Sequence, residues 1–135
     1  MLAVLLAAAA LAVAIVALTR IDATPTYSAA QRVEAQARLC DRYKLAAQAV
    51  HLETTQPDGD VALARIANTN GALILATAAS EPALDVKFRD AAQALATSYQ
   101  TVTAMGTMGR SDPQFIAAID DSNAKYQVMR ILCGD

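Results

Sequence analysis

The chain has 135 residues, 11 Lys/Arg against 13 Asp/Glu, a formal net charge of −2 and no Trp; 32 of its residues are alanine. This balance, with no basic stripe, excludes nucleic acid from the expected partners, and the absence of any Walker-type glycine loop does the same for nucleotides. Alanine loses least on entering a helix, so the composition favours closely packed helices.

In chain order, Met1–Leu18 come first and contain no polar side chain. A run of roughly 18 or more apolar residues is a transmembrane-helix candidate. A secretory signal would show a basic leading segment, an apolar core of roughly 7–15 residues and a small-residue cleavage site. Here no basic residue precedes the core, the core is longer, and Ile21-Asp22-Ala23 is a poor cleavage site. Residues 1–20 are therefore expected to form an uncleaved single-pass anchor, with a basic stretch expected upstream of Met1. Ala3, Ala7, Ala10, Ala14 and Ala17 recur at helical spacing. Small residues let membrane helices approach closely, which makes this the expected partner-facing side of the anchor. Arg20 alone flanks the run and orients it weakly, toward the inside.

Residues 21–27 follow as a linker, and residues 28–135 as one domain, enough chain for a single core. Ser28 with Gln31 three residues on forms a capping box opening a helix to about Glu53, with an expected inner stripe of Val33, Ala37, Cys40, Tyr43, Ala47 and Val50. The segment 54–60 is a turn. A second helix is expected from about Asp60 to Ala79, its inner face Leu63, Ile66, Ala67, Asn70, Ile74 and Thr77. Ser80-Glu81-Pro82 closes it and opens a third, since Pro is tolerated in a first turn. The third helix carries Leu84, Phe88, Ala91, Leu95, Tyr99 and Val102. After a turn at 106–111, Asp112-Pro113 reads as an N-cap followed by Pro at the first helical position. The last helix has Phe115, Ile116, Ile119, Asn123, Tyr126 and Cys133 on its expected inner face, with Gly134 as its stop.

Four such helices with short connections predict an all-α fold, an N-terminal transmembrane helix followed by an antiparallel up-down four-helix bundle. Cys40 and Cys133 are the only cysteines. Behind an export signal an even pair is expected to be a disulfide, and an up-down bundle brings the end of the fourth helix back to the level of Cys40. A crosslink closing about 90 residues stabilises by on the order of 4–5 kcal/mol in the chain-entropy model. The alternative is a pair of buried thiols in a cytosolic bundle.

Few residues offer chemistry. His51 is the only histidine, placed near a helix end where a cation meets the macrodipole favourably. Asp58-Gly59-Asp60 lacks the further oxygens of a calcium loop and reads as turn plus N-cap. Asp120-Asp121 faces outward. Asn70 and Asn123 fall on otherwise apolar stripes. With Tyr43, Tyr99 and Tyr126 they either line a polar pocket between helices or fix helix register through hydrogen bonds. Met105, Met108 and Arg110 make a partly apolar loop tip, a docking site or an ordinary turn. No hydrolase motif is present, two Cys and one His give no metal-ligand set, and no cofactor is expected.

The segments TPTYSAAQ, LCDRYKLAAQAV, LARIANTNGALIL, PALDVKFRDAAQALATSYQ, IDDSNAK and LCG together resemble alanine-rich, membrane-anchored proteins of unknown function from mycobacteria and related actinobacteria. The resemblance covers the chain after the linker and implies an N-terminal anchor and an extracytoplasmic helical domain, with its two cysteines at Cys40 and Cys133. Such proteins often have a longer Pro-rich, charged N-terminus, from which this chain departs. The resemblance implies no activity. The expected function is that of a non-enzymatic accessory or interaction subunit of a cell-envelope membrane complex, its C-terminal domain outside the cytoplasm and a membrane protein as partner. The alternative is a sensor module that binds a small ligand or lipid between its helices.

Overall fold

The computed structural model of the protein describes residues 26–55 and 59–134. Among them are four helices and no strand: α1 (Ala29–Thr54), α2 (Val61–Ala79), α3 (Val86–Met105) and α4 (Pro113–Cys133). The expected anchor, with Ala3, Ala7, Ala10, Ala14 and Ala17, lies outside the described residues, as do most of the linker and Asp58.

The helix ends follow from local chemistry. The Ser28 hydroxyl accepts from Gln31 N–H (3.2 Å), and Ser28 N–H donates to the Gln31 side chain (2.8 Å). This reciprocal pair satisfies two of the donors that a helix start leaves open. Asp60 caps α2 by accepting from Ala62 N–H (2.7 Å), and Asp112 caps α4, with Pro113 next to it. Gly134 ends α4 at φ +72°, a left-handed conformation that glycine adopts without a Cβ clash.

One start differs from expectation. The third helix begins at Val86, not at Pro82, because the Asp85 carboxylate accepts from Lys87 N–H (3.0 Å). Residues 81–85 form a tight turn whose carbonyls are gathered by one guanidinium. Arg89 donates to Glu81 O (3.2 Å), Pro82 O (3.3 Å) and Leu84 O (3.1 Å). Ala83 and Leu84 are thereby folded into the core.

Packing follows chain order, α1 on α2, α2 on α3 and α3 on α4, whereas α1 and α4 meet only sparsely. The Cys40–Cys133 disulfide, with its Cα atoms 5.4 Å apart, joins them there. Leu39, Tyr43, Leu75, Leu95 and Met129 are the largest fully buried side chains, set among Ala35, Ala46, Ala72, Ala79 and Ala92. Gly71 lies where α1 and α3 both reach α2. A Cβ at that position would stand 3.1 Å from Val50 Cγ2 and 3.2 Å from the Tyr99 ring, so the close approach needs the missing side chain.

Three of the four expected inner faces are rotated. α1 buries Ala35, Leu39, Tyr43 and Ala46, while Val33 is 64% exposed and Ala37 is also exposed. α4 buries Ala118, Ser122 and Met129, with Phe115, Tyr126 and Cys133 half-buried; Ile116, Ile119 and Asn123 are exposed. The largest departure is α2. Its buried residues are Ala67, Asn68, Gly71, Ala72, Leu75 and Ala79, whereas Leu63, Ile66, Asn70 and Thr77 are exposed. Helices on both sides demand a narrow face, and the Ala/Gly side of α2 lets their axes come close in a way the Leu/Ile side does not. Only α3 follows its expected stripe, with Phe88, Leu95 and Tyr99 buried and Ala91 and Val102 half-buried.

Candidate functional site

Two regions stand out against this frame, the outward face of α2 and a cavity away from the disulfide.

α2 is largely apolar and has no charged side. Among the described residues it is the one helix long and apolar enough to cross a bilayer by length and composition, with a mean hydropathy of 1.2, and 28% of that window is buried inside the bundle. A helix without a polar side normally has a partner on every side. Here the outward side carries Leu63 (48% exposed), Ile66 (54%) and Leu73 (57%). Ala62, Thr69, Asn70, Ala76 and Thr77 complete that side, all exposed. The only charged residue in α2 is Arg65, and its guanidinium turns away to donate to the Gly106 carbonyl (2.9 Å).

The cavity, of about 670 Å³, is framed by the last turns of α1 and α3 and the first turns of α2 and α4. Val50, Ala64, Val102, Phe115 and Ile119 give it apolar walls; Glu53, Arg65 and Arg110 supply charge, and Asn68, Ser122 and Asn123 supply polar groups. Its volume falls in the range of small-molecule sites, roughly 300–1,000 Å³. The Arg65 Nε is buried and makes no hydrogen bond to the described residues.

The expected polar constellation divides into three parts. Tyr43 and Tyr126 meet with ring centroids 5.9 Å apart, tilted by 40°. Tyr99 is buried beside them, and burial, with a smaller contribution from Tyr126, pushes its phenol up to about 12, since a desolvated anion is disfavoured. These rings belong to the core and none lines the cavity. Asn123 is exposed and lines the cavity at its rim, whereas Asn70 is exposed on the outward side of α2 and does not line it. The buried polar groups are instead Asn68, Ser98 and Ser122. Asn68 Nδ2 donates to Ala64 O one turn back (2.9 Å), and Ser98 Oγ donates to Leu95 O (2.8 Å) and lies 3.4 Å from Ser122 Oγ across the α3–α4 contact.

Met105, the last residue of α3, is half-buried; in the loop that follows, Met108 is 50% exposed and exposed Arg110 reaches the cavity. The loop is tied to α2 by the Arg65–Gly106 bond, and Gly109 turns at φ +106°. His51 is exposed in the last turn of α1, and Asp120 and Asp121 are exposed, with Asp121 paired to Lys125. Among the described residues no group of three or more His, Cys, Asp or Glu gathers as a metal site. Arg65, Arg89, Gly71 and Asn68 were not legible as structural residues from spacing. The one available signal was that Arg65 is the lone charge in a 19-residue apolar helix.

No family model, curated protein or solved structure matches this chain. The arrangement of its own residues therefore carries the functional argument.

Proposed function

We propose that this chain is a membrane-anchored, non-enzymatic interaction subunit of a cell-envelope complex. Its bundle lies outside the cytoplasm, with the helices running antiparallel, up and down. The observation that carries this is the outward face of α2, which exposes Leu63, Ile66 and Leu73 with no charge beside them. Contiguous exposed apolar surface of this kind marks interaction sites in stable proteins. The disulfide supports an oxidising compartment, and the apolar run at 1–18 supports the tether. The antiparallel course is supported by the cavity frame, which draws on last turns of α1 and α3 but first turns of α2 and α4.

The test is extraction of the full chain from membranes in a mild detergent. The chain is expected in the membrane fraction, with Cys40 and Cys133 resistant to alkylation until reduced, and in a complex that Leu73→Glu disperses. Recovery as a soluble chain with free thiols, or as a monomer under every gentle condition, would overturn the proposal.

The cavity favours a second function on the same scaffold, binding of a small ligand at the end of the bundle away from the disulfide. Its support is the Arg65 Nε, a buried donor without a partner among the described residues beside an apolar wall. Arg65→Met is expected to abolish ligand-dependent thermal stabilisation in a screen of small amphiphiles. A screen with no stabilising compound would remove this second function.

A further inference from the structure

We infer that the partner on the outward face of α2 is a second copy of this chain, joined through a parallel two-helix seam with Asn70 at its centre; the inference rests on that face being an interface. The exposed residues Leu63, Ile66, Asn70, Leu73 and Thr77 recur at spacings of three, four, three and four. This is the repeat of a coiled-coil seam, with Leu63, Asn70 and Thr77 at the first core position of each heptad and Ile66 and Leu73 at the second. The seam extends over about 21 Å at 1.5 Å per residue. Along one edge stand Ala62, Thr69 and Ala76, all exposed, small and uncharged, which permits close approach. The other edge runs into the bundle at buried Ala67 and half-buried Ile74. Within α2 no charge opposes pairing, since Arg65, its only charged residue, is held at the Gly106 carbonyl.

Asn70 selects the occupant. A carboxamide offers both donor and acceptor, so it is self-complementary. In a parallel, in-register pair each Asn70 meets the Asn70 of the other copy, and a two-fold interface requires this matching of a patch with itself. A single Asn at this heptad position fixes register and restricts the assembly to two strands. The other occupants within reach fail this test. Residues 1–18 contain no polar side chain, so that run laid on α2 would leave the amide unmatched. Hydrocarbon would leave it unmatched as well, and such groups are costly in lipid.

The experiment co-expresses two differently tagged full-length copies in one membrane, extracts them in mild detergent and measures how much of one is recovered with the other. The copies are expected to co-purify as a dimer by native mass spectrometry. Leu73→Glu in both should reduce recovery at least tenfold, and Leu73→Glu in one copy with Leu73→Lys in the other should restore it. Asn70→Leu should keep the association but add species larger than a dimer. Leu73 is 57% exposed, so these variants are expected to melt like the parent chain; the charge-swapped pair keeps the test decisive if one single variant folds poorly. Copies that never co-purify, or a dimer indifferent to Leu73→Glu, would overturn the seam. If Leu73→Glu instead releases a different polypeptide while the tagged copies stay apart, self-pairing fails and the interface on α2 stands. If nothing associates at all, both fail.

Discussion

Along α2, one side carries Ala67, Gly71, Ala72, Leu75 and Ala79 and is buried, while the opposite side carries Leu63, Ile66, Leu73 and Thr77 and is open. Both sides are apolar, and the larger residues are on the outside. Hydrophobicity alone would place Leu and Ile inward, since fully burying one is worth roughly 1.5–3 kcal/mol. What decides the rotation is distance between axes. α2 packs broadly on both α1 and α3, and a Cβ at Gly71 would stand 3.1 Å from Val50 Cγ2 and 3.2 Å from the Tyr99 ring. In an alanine-rich bundle the narrow face therefore takes the interior, and the wide face remains exposed.

This contrast between the two sides of α2 sets an order of expected effects. The largest comes from the disulfide that clamps α1 to α4. The disulfide closes the ring of helices from α1 to α4 across 93 residues. Cys40→Ala with Cys133→Ala should lower unfolding stability by about 4 kcal/mol, measured as a shift in urea midpoint that matches reduction of the parent chain. Next is Leu75→Ala on the inner side, fully buried in the parent. It should cost about 3 kcal/mol from lost burial and the cavity left behind; an effect below about 1 kcal/mol would mean that the inner side is not the packed one. Gly71→Val should cost about 2 kcal/mol by overpacking against Val50 and Tyr99, despite the poor helix propensity of glycine.

A smaller effect is expected from pH. Burial beside Gly71 pushes the Tyr99 phenol up to about 12 in the folded chain, against about 10 for a free tyrosine. Its folded pKa is raised and its charged form is the deprotonated one. The stabilisation is therefore complete below pH 10, and declines between 10 and 12 as the unfolded chain ionises first. At pH 11 the loss amounts to about 1 kcal/mol, and Tyr99→Phe should remove that part of the alkaline decline. The smallest effect is reserved for the outer side. Leu73→Ser should change the folding stability of the dispersed chain by no more than about 0.5 kcal/mol, read from the same urea titrations. A loss comparable to that of Leu75→Ala would erase the distinction between the sides.

The residues that were legible in advance are those whose role is local. Ser28 with Gln31, Asp60, Asp112-Pro113 and Gly134 mark helix ends because each acts on backbone groups within a few residues. The third helix was legible because Phe88, Leu95 and Tyr99 make one stripe with no competitor. The candidate interface was half legible: Leu63, Ile66, Asn70 and Thr77 do form a stripe, but it faces outward. Asn70 and Asn123 misled because an amide on an apolar stripe signals an interface without saying whether it lies within the chain. Arg65 and Arg89 escaped because their partners are carbonyls exposed by turns, at Gly106 and at 81–84, which no spacing announces.

By itself, then, the sequence determined the four helices, every N-cap but that of α3, and the cysteine pair, since propensity, capping and crosslinking are decided by neighbours or by a single long-range bond. Tertiary structure decided which way each helix turns. For α2 the alanine and glycine side is the buried one, because neighbours on α1 and α3 crowd it: a side chain at Gly71 would press on Val50 and Tyr99.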